Sequence, residues 1–311
     1  MKTTMMSAAV IALLSMGTAS AQTDPAGSST ACAAAASQFV SADESAAVTA
    51  AFPPPVSGMT LTFDDEFDTY SLSNDNVADG TKWTDHLWFA DPRPDLIGVS
   101  NGVLSLTADQ NPATNHNGFA GQIASVNEHG QGFTQRFGYF EASIRVPSGQ
   151  GTWPSFYLIN NDRLTGNPNA PDPEIDVIEA QGARPAEYYT TLHLNAVGTP
   201  DKTNYPDFVV HAGVDISQGF HRYGMLWDPN SATIDWYYDG QRMLSSPKFS
   251  TTDSATDMLV LGSDIGDFGA GGNDPNASTP NAVVMQVDWV HVYQFSSQLT
   301  AMSTASAAGC P

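Results

Sequence analysis

Between Pro171 and Gly182 the chain reads PDPEIDVIEAQG. Glu174, Asp176 and Glu179 stand there among Ile175, Val177 and Ile178, whose β-branched side chains favour a strand. On a pleated strand Glu174 and Asp176 share a face, whereas strict alternation sends Glu179 to the other one. A β-bulge at about Val177 and Ile178 restores the phase, because one extra residue re-aims every side chain after it. The competing arrangement is a solvated acidic strand with Glu179 in the following turn, but three like charges along one face repel and add nothing to a fold. With the bulge counted as one step, Glu174 and Glu179 are four steps apart, about 13 Å between backbones at roughly 3.3 Å per step. Leaning side chains on a concave sheet narrow this toward the roughly 5 to 5.5 Å that separates nucleophile and acid/base in a retaining glycosidase. Asp176, between them, is placed to share a proton with Glu174 and to drive neighbouring carboxyl pKa values apart. His193, in TTLHLN, falls on the expected neighbouring strand, within reach of an acid or a substrate hydroxyl.

Clefts that cleave sugars also need flat apolar surfaces. GTWPSFY, just before the acids, supplies Trp153, Phe156 and Tyr157; Trp88 and Trp83 lie upstream, and Trp88 and Arg93 are assigned with the first three to substrate binding. Any single Trp is more often a core residue than a sugar platform. Other chemistries find no motif: there is no His-Glu-x-x-His, Gly-x-Ser-x-Gly or phosphate loop, and the glycines from 266 to 272 follow no strand-to-helix pattern.

The elements that must carry these residues are strands. In FGYFEASIRVP, Phe140, Ala142, Ile144 and Val146 fall on one face and Tyr139, Glu141, Ser143 and Arg145 on the other, the pattern of a half-buried strand. ATIDWYYDGQRML sets Asp239-Gly240 between apolar arms, a two-residue hairpin signal. Further strands are expected at 61–67, 102–108, 188–195, 220–227, 258–262 and 283–295, with no long helical pattern between them. The expectation is an all-β jelly-roll sandwich of two antiparallel sheets with a concave cleft.

The ends of the chain read differently. Residues 1–21 carry Lys2, an apolar run and Ala19-Ser20-Ala21, a secretory signal too short in its apolar part to span a bilayer. Residues 22–57 form an Ala/Ser/Pro-rich extension, with a weakly marked helix near 46–51, and 58–311 form the catalytic domain. Cys32 and Cys310, the two cysteines, are expected to pair after export, free or intermolecular thiols being the alternative. With 33 acidic residues against 11 Lys and Arg, a net charge of −22, nucleic acid and anionic membranes are repelled as partners. A monomer acting on a polysaccharide is expected.

Glu-Ile-Asp-Val-Ile-Glu resembles the active-site strand of glycoside hydrolase family 16, the jelly-roll endo-glycanases. LTFDDEFD, RFGYFEASIRVPSGQGTWPSFY, FHRYGMLWDPNSATIDWYYDGQ and MQVDWVHVYQ extend the resemblance in order from residue 61 to 294. The resemblance implies Glu174 as nucleophile, Asp176 as its assisting carboxylate, Glu179 as acid/base and His193 as a neighbour of the acid/base. It implies retaining hydrolysis of internal β-glycosidic bonds without a catalytic cofactor. It further implies one structural calcium ion, Ca2+, at Asp288, Gly102 and Glu66. Tyr157 replaces a second Trp common in the family, Ser143 a basic residue, and LGSDIGDFGAGGNDPN lacks a usual Trp. β-1,3- or mixed β-1,3/1,4-glucan is the expected substrate, with a succinoglycan-like exopolysaccharide or transglycosylation as alternatives, and a lectin as the non-enzymatic one.

Overall fold

The computed structural model describes residues 51–72, 81–87, 92–109, 121–160, 171–196, 203–204, 208–249, 252, 256–266 and 271–299. The secretory signal, Cys32, Cys310 and Trp88 lie outside the described residues. No helix among the described residues is long and apolar enough to cross a membrane.

Strands, numbered β1 to β15 in chain order, form two antiparallel sheets. One has the order β13 (Gln241–Pro247), β12 (Thr233–Tyr238), β11 (His221–Trp227), β5 (Gly138–Arg145), β15 (Ala282–Phe295), β3 (Val103–Asp109) and β2 (Ile97–Ser100), with β1 (Met59–Asp65) also on β15. The other runs β10 (Phe208–His211), β8 (Glu187–Ala196), β7 (Pro171–Glu179), β6 (Thr152–Asn160), β14 (Asp257–Ile265) and β4 (Gly121–Ala124), with β9 (Thr203–Asn204) on β8. The acidic segment is thus a central strand of the seven-stranded sheet. Short β2, β4, β9 and β10 were not foreseen; at two to four residues they are too brief for alternation to mark them.

One apolar cluster fills the space between the sheets. Phe140, Ile144, Met225, Trp236 and Val290 of the larger sheet meet Phe156, Leu158, Ile175, Leu192 and Leu261 of the smaller one. Each such side chain, fully buried, stabilises the sandwich by about 1.5–3 kcal/mol before conformational entropy is counted. The Asp239-Gly240 turn takes positive φ at both residues, 48° and 78°, as a two-residue hairpin requires. Asp239 tolerates this because its carboxylate is used locally, accepting the Arg222 N–H at 2.9 Å and facing His221 Nδ1 at 2.9 Å.

The half-buried reading of β5 needs correction. Phe140, Ala142 and Ile144 face the core as expected, but Tyr139, Glu141 and Ser143 on the opposite side are buried as well, and only Arg145 is exposed. On the same side of the larger sheet, over the neighbouring β15, lies a cover the alternation cannot register. Phe52, from the N-terminal extension, packs on Trp289 (centroids 4.7 Å apart) and takes a hydrogen bond from Tyr293 Oη at 2.8 Å on its carbonyl oxygen. At its described end, therefore, the extension is packed on the larger sheet.

Candidate active site

The geometry of the acidic strand follows from its ladder with β6. Ile159 opposes Glu174, Leu158 opposes Ile175 and Tyr157 opposes Asp176; the register then slips, and Phe156 opposes Ile178 and Ser155 opposes Glu179. Val177 is the extra residue of a β-bulge, and the ladder with β8 slips between the same acids. Val177 and Ile178, consecutive in sequence, both enter the core cluster at 1% exposure, which a regular strand forbids. Glu179 therefore leaves the core and joins Glu174 and Asp176 on the outer face of the seven-stranded sheet.

His193 is the cross-strand partner of Glu174, yet its ring also reaches diagonally: Nε2 lies 3.0 Å from Asp176 Oδ2. Burial alone would lower the His193 pKa, but the hydrogen bond and charge of Asp176, with the charges of Glu174 and Glu179, outweigh it and lift it to about 10. The imidazolium thus pairs directly with the central carboxylate rather than with Glu179. Glu179 lies in a different electrostatic setting. Burial first, then the negative charges of Asp176 and Glu174, push its carboxyl well above the usual range, against smaller opposing effects of His193 and of a 2.9 Å hydrogen bond donated by Trp153 Nε1. A carboxyl kept protonated beside ionised neighbours is suited to act as a general acid.

The other sequence-assigned residues divide. Trp153 lies on the acid face, at the indole hydrogen bond just described. Tyr157 is on that face too, opposite Asp176; burial first, then Glu174, Asp264, Asp176 and Glu179, raises its phenol pKa far up, so it stays a hydrogen-bond donor. Phe156 is a correction. It has no solvent exposure and sits in the core cluster opposite Ile178, because alternation along β6 puts 153, 155 and 157 on one face and 156 on the other. Arg93 forms ion pairs with Asp95 (2.9 Å) and Asp109 (3.4 Å). Asp264, directly across the ladder from Trp153, was missed. It is 2% exposed and accepts a hydrogen bond from Gln122 at 2.8 Å, adding a fourth carboxylate beside the row. Its position in the segment LGSDIG, flanked by Gly262 and Gly266, was the available signal, since inward and outward residues alternate there as well.

The three residues assigned to a cation gather at one end of the larger sheet. A Cβ at Gly102, where φ is +72°, would lie 3.7 Å from both the Glu66 carbonyl oxygen and Asp68 Oδ1. Asp288 is within electrostatic reach of Glu66, its carboxyl raised by burial and then by that charge. The donors are all oxygen, the chemistry a hard cation such as calcium takes.

The segment that carries this bulged strand is matched at family level. The sequence profile of the glycosyl hydrolases family 16 fits residues 93–266, more than half of the chain. The chain belongs to this family. Among curated relatives, the endo-1,3-1,4-beta-glycanase EglC of Rhizobium meliloti (strain 1021) is 29% identical over 263 residues, 76% of this chain and 52% of its own. A beta-glucanase of Rhodothermus marinus is 28% identical over 258 residues, 76% of this chain and 85% of its own. The chain thus spans about half the length of the Rhizobium relatives that it matches. The catalytic domain of a laminarinase from Thermotoga petrophila RKU-1 superposes with a TM-score of 0.59 at 22% identity, covering 77% of this chain and 99% of that one, which establishes the shared jelly-roll fold.

Proposed function

We propose that this family 16 member is an endo-acting, retaining β-glucan hydrolase, with β-1,3- or mixed β-1,3/1,4-glucan as substrate. The observation that carries the reading is the bulge, which sets Glu179, with its raised pKa, on the face of Glu174 and Asp176. In the first step a Glu174 carboxylate oxygen bonds to the anomeric carbon while the bond to the leaving sugar breaks, and Glu179 gives its proton to the departing oxygen. In the second, Glu179 as carboxylate takes a proton from water, whose oxygen replaces Glu174 on the anomeric carbon. Two displacements return the starting configuration. Asp176, paired with His193, holds negative charge between the two and keeps Glu179 protonated until the leaving group needs the proton. Trp153 and Tyr157 supply ring surface and hydrogen bonds to the sugar.

The test is product analysis on a panel of β-1,3-, mixed-linkage and succinoglycan-type polysaccharides, with proton NMR of the first-formed anomer. Mid-size oligosaccharides in the β configuration are expected from a β-glucan. An α product, or no cleavage of any member, overturns the reading. Export of a monomer after removal of residues 1–21, a Cys32–Cys310 bridge, and one calcium at Asp288, Glu66 and Gly102 belong to the same proposal. A cation bound by the folded state alone stabilises it by about 2.7 kcal/mol at a hundred times its Kd. Chelation should therefore lower Tm while activity well below Tm persists; unchanged Tm and no bound metal would remove the calcium.

A further inference from the structure

We infer that Trp236, in the sheet opposite the acids, is a positioning residue that holds the bulge in place and so sets the spacing of the carboxylate row. The inference rests on the reading under Proposed function, and it starts from one hydrogen bond. Trp236 belongs to β12 of the eight-stranded sheet, has no solvent exposure and lies in the core cluster. Its Nε1 donates across the sandwich to the backbone carbonyl of Asp176 at 2.9 Å, a buried bond between residues 60 apart in sequence.

The acceptor stands at the break in the ladder. Asp176 is the last residue in register with both β6 and β8 before Val177 slips out. A buried carbonyl turned out of a ladder needs a donor, or the structure bears the full desolvation cost. Here the donor is the indole. In a regular strand the ladder would satisfy that carbonyl, and Glu179 would point into the core. The Trp236 N–H therefore favours the one backbone arrangement in which Glu179 and Glu174 face the same way. Two other indoles do different tasks: Trp83 donates to the Asp65 carboxylate at 2.7 Å, and Trp153 to the Glu179 side chain.

A misplacement of about 1 Å in such a row costs on the order of a hundredfold in rate. The test is Trp236→Phe, with a second protein carrying 3-benzothienylalanine at position 236, which keeps the bicyclic shape and loses only the N–H. A soluble β-glucan serves as substrate, and 15N NMR follows the His193 ring, which reports on Asp176 without turnover. Expected are a kcat lower by about a hundredfold with KM within about twofold, and a His193 midpoint that falls from about 10 toward the ordinary 6.5. A purely structural tryptophan would lower Tm and leave the titration of a folded protein unmoved. A folded benzothienyl protein with wild-type kcat and an unmoved His193 titration overturns the inference. If the wild type cleaves no β-glucan, the proposed function falls, and the His193 titration still decides the role of Trp236.

Discussion

Two faces of this molecule carry the same set of groups, a histidine between two carboxylates, and treat it in opposite ways. On the outer face of the seven-stranded sheet the set is Glu174, Asp176 and His193; on that of the eight-stranded sheet it is Asp64, Glu66 and His291; in each the donor atoms lie within 4.8 Å of one another. His291 is 2.8 Å from Glu66 and 3.2 Å from Asp64, has no exposure, and is stacked on Trp289 at 4.0 Å with Phe52 above. His193 keeps 20% of its side chain exposed, and the bulge brings Glu179 in as a further carboxylate. Composition does not distinguish the two sets. A cover of aromatic rings over the histidine of one set, and a further carboxylate brought to the other by the bulge at Val177, do, because a carboxyl next to charged neighbours titrates apart from them.

The largest break in this comparison comes from removing the reacting carboxylates. Glu174→Ala should lower kcat by about 10⁴-fold or more, with added azide restoring turnover as an α-glycosyl azide. Glu179→Ala should lose about 10²- to 10⁴-fold on substrates with poor leaving groups and give a β-glycosyl azide. Wild-type rates in Glu174→Ala, read by reducing-end assay, would remove the site from this face.

Next come the charges around Glu179, where two variants should act with opposite sign. The alkaline limb of kcat/KM reports deprotonation of the general acid in the free enzyme. Asp176→Asn removes the larger charge that raises Glu179 and should move that limb to lower pH; His193→Gln removes a charge that lowers it and should move the limb up. Shifts of the same sign would refute this account. His193 also links folding to pH. Because its folded pKa is raised, the stability it contributes is fully present below about 6.5 and is lost as pH rises toward about 10. The Tm deficit of His193→Gln should therefore be greatest near pH 6 and close toward pH 10.

The smallest effect belongs to the face that Phe52 covers. Phe52→Ala uncovers His291 and Trp289 and should lower stability by about 1 to 3 kcal/mol in urea unfolding, with kcat unchanged. A fall in kcat at full folding would show that the two faces are coupled, and the contrast would fail.

Much of this was legible in the sequence where period and turn chemistry speak locally. Phe140, Ala142 and Ile144 announce the inner face of β5, Asp239-Gly240 the hairpin of β12 and β13, and the mistimed Ile178 a bulge, since an apolar residue in an outward phase beside a carboxylate in an inward one signals a slip. What stayed hidden depends on distance along the chain. That Phe156 faces inward while Tyr157 faces out is settled by the pairing of β6 with β7, not by an aromatic block that looks uniformly cleft-like. Glu141 and Ser143 are buried on a face that local alternation marks as open, and the bond from Trp236 to Asp176 joins two sheets, so no window of local sequence contains both ends.

The last strand also governs how this molecule can come to exist. β15 lies inside its sheet rather than at its edge: its first half pairs with β3, its second with β1, and β5 runs along the other side. Thr60 and Ser296, which hydrogen-bond at 2.9 Å, are 236 residues apart. The chain enters the sheet early and completes it late, so a growing polypeptide holds β1, β3 and β5 as unjoined partners until the segment from Ala282 emerges. Contacts of such long range fold slowly and leave strand edges open to wrong pairings in the interval. A ribosome stalled before residue 282 should therefore display a protease-sensitive chain, with the acid strand already synthesised and the sandwich that positions it not yet closed.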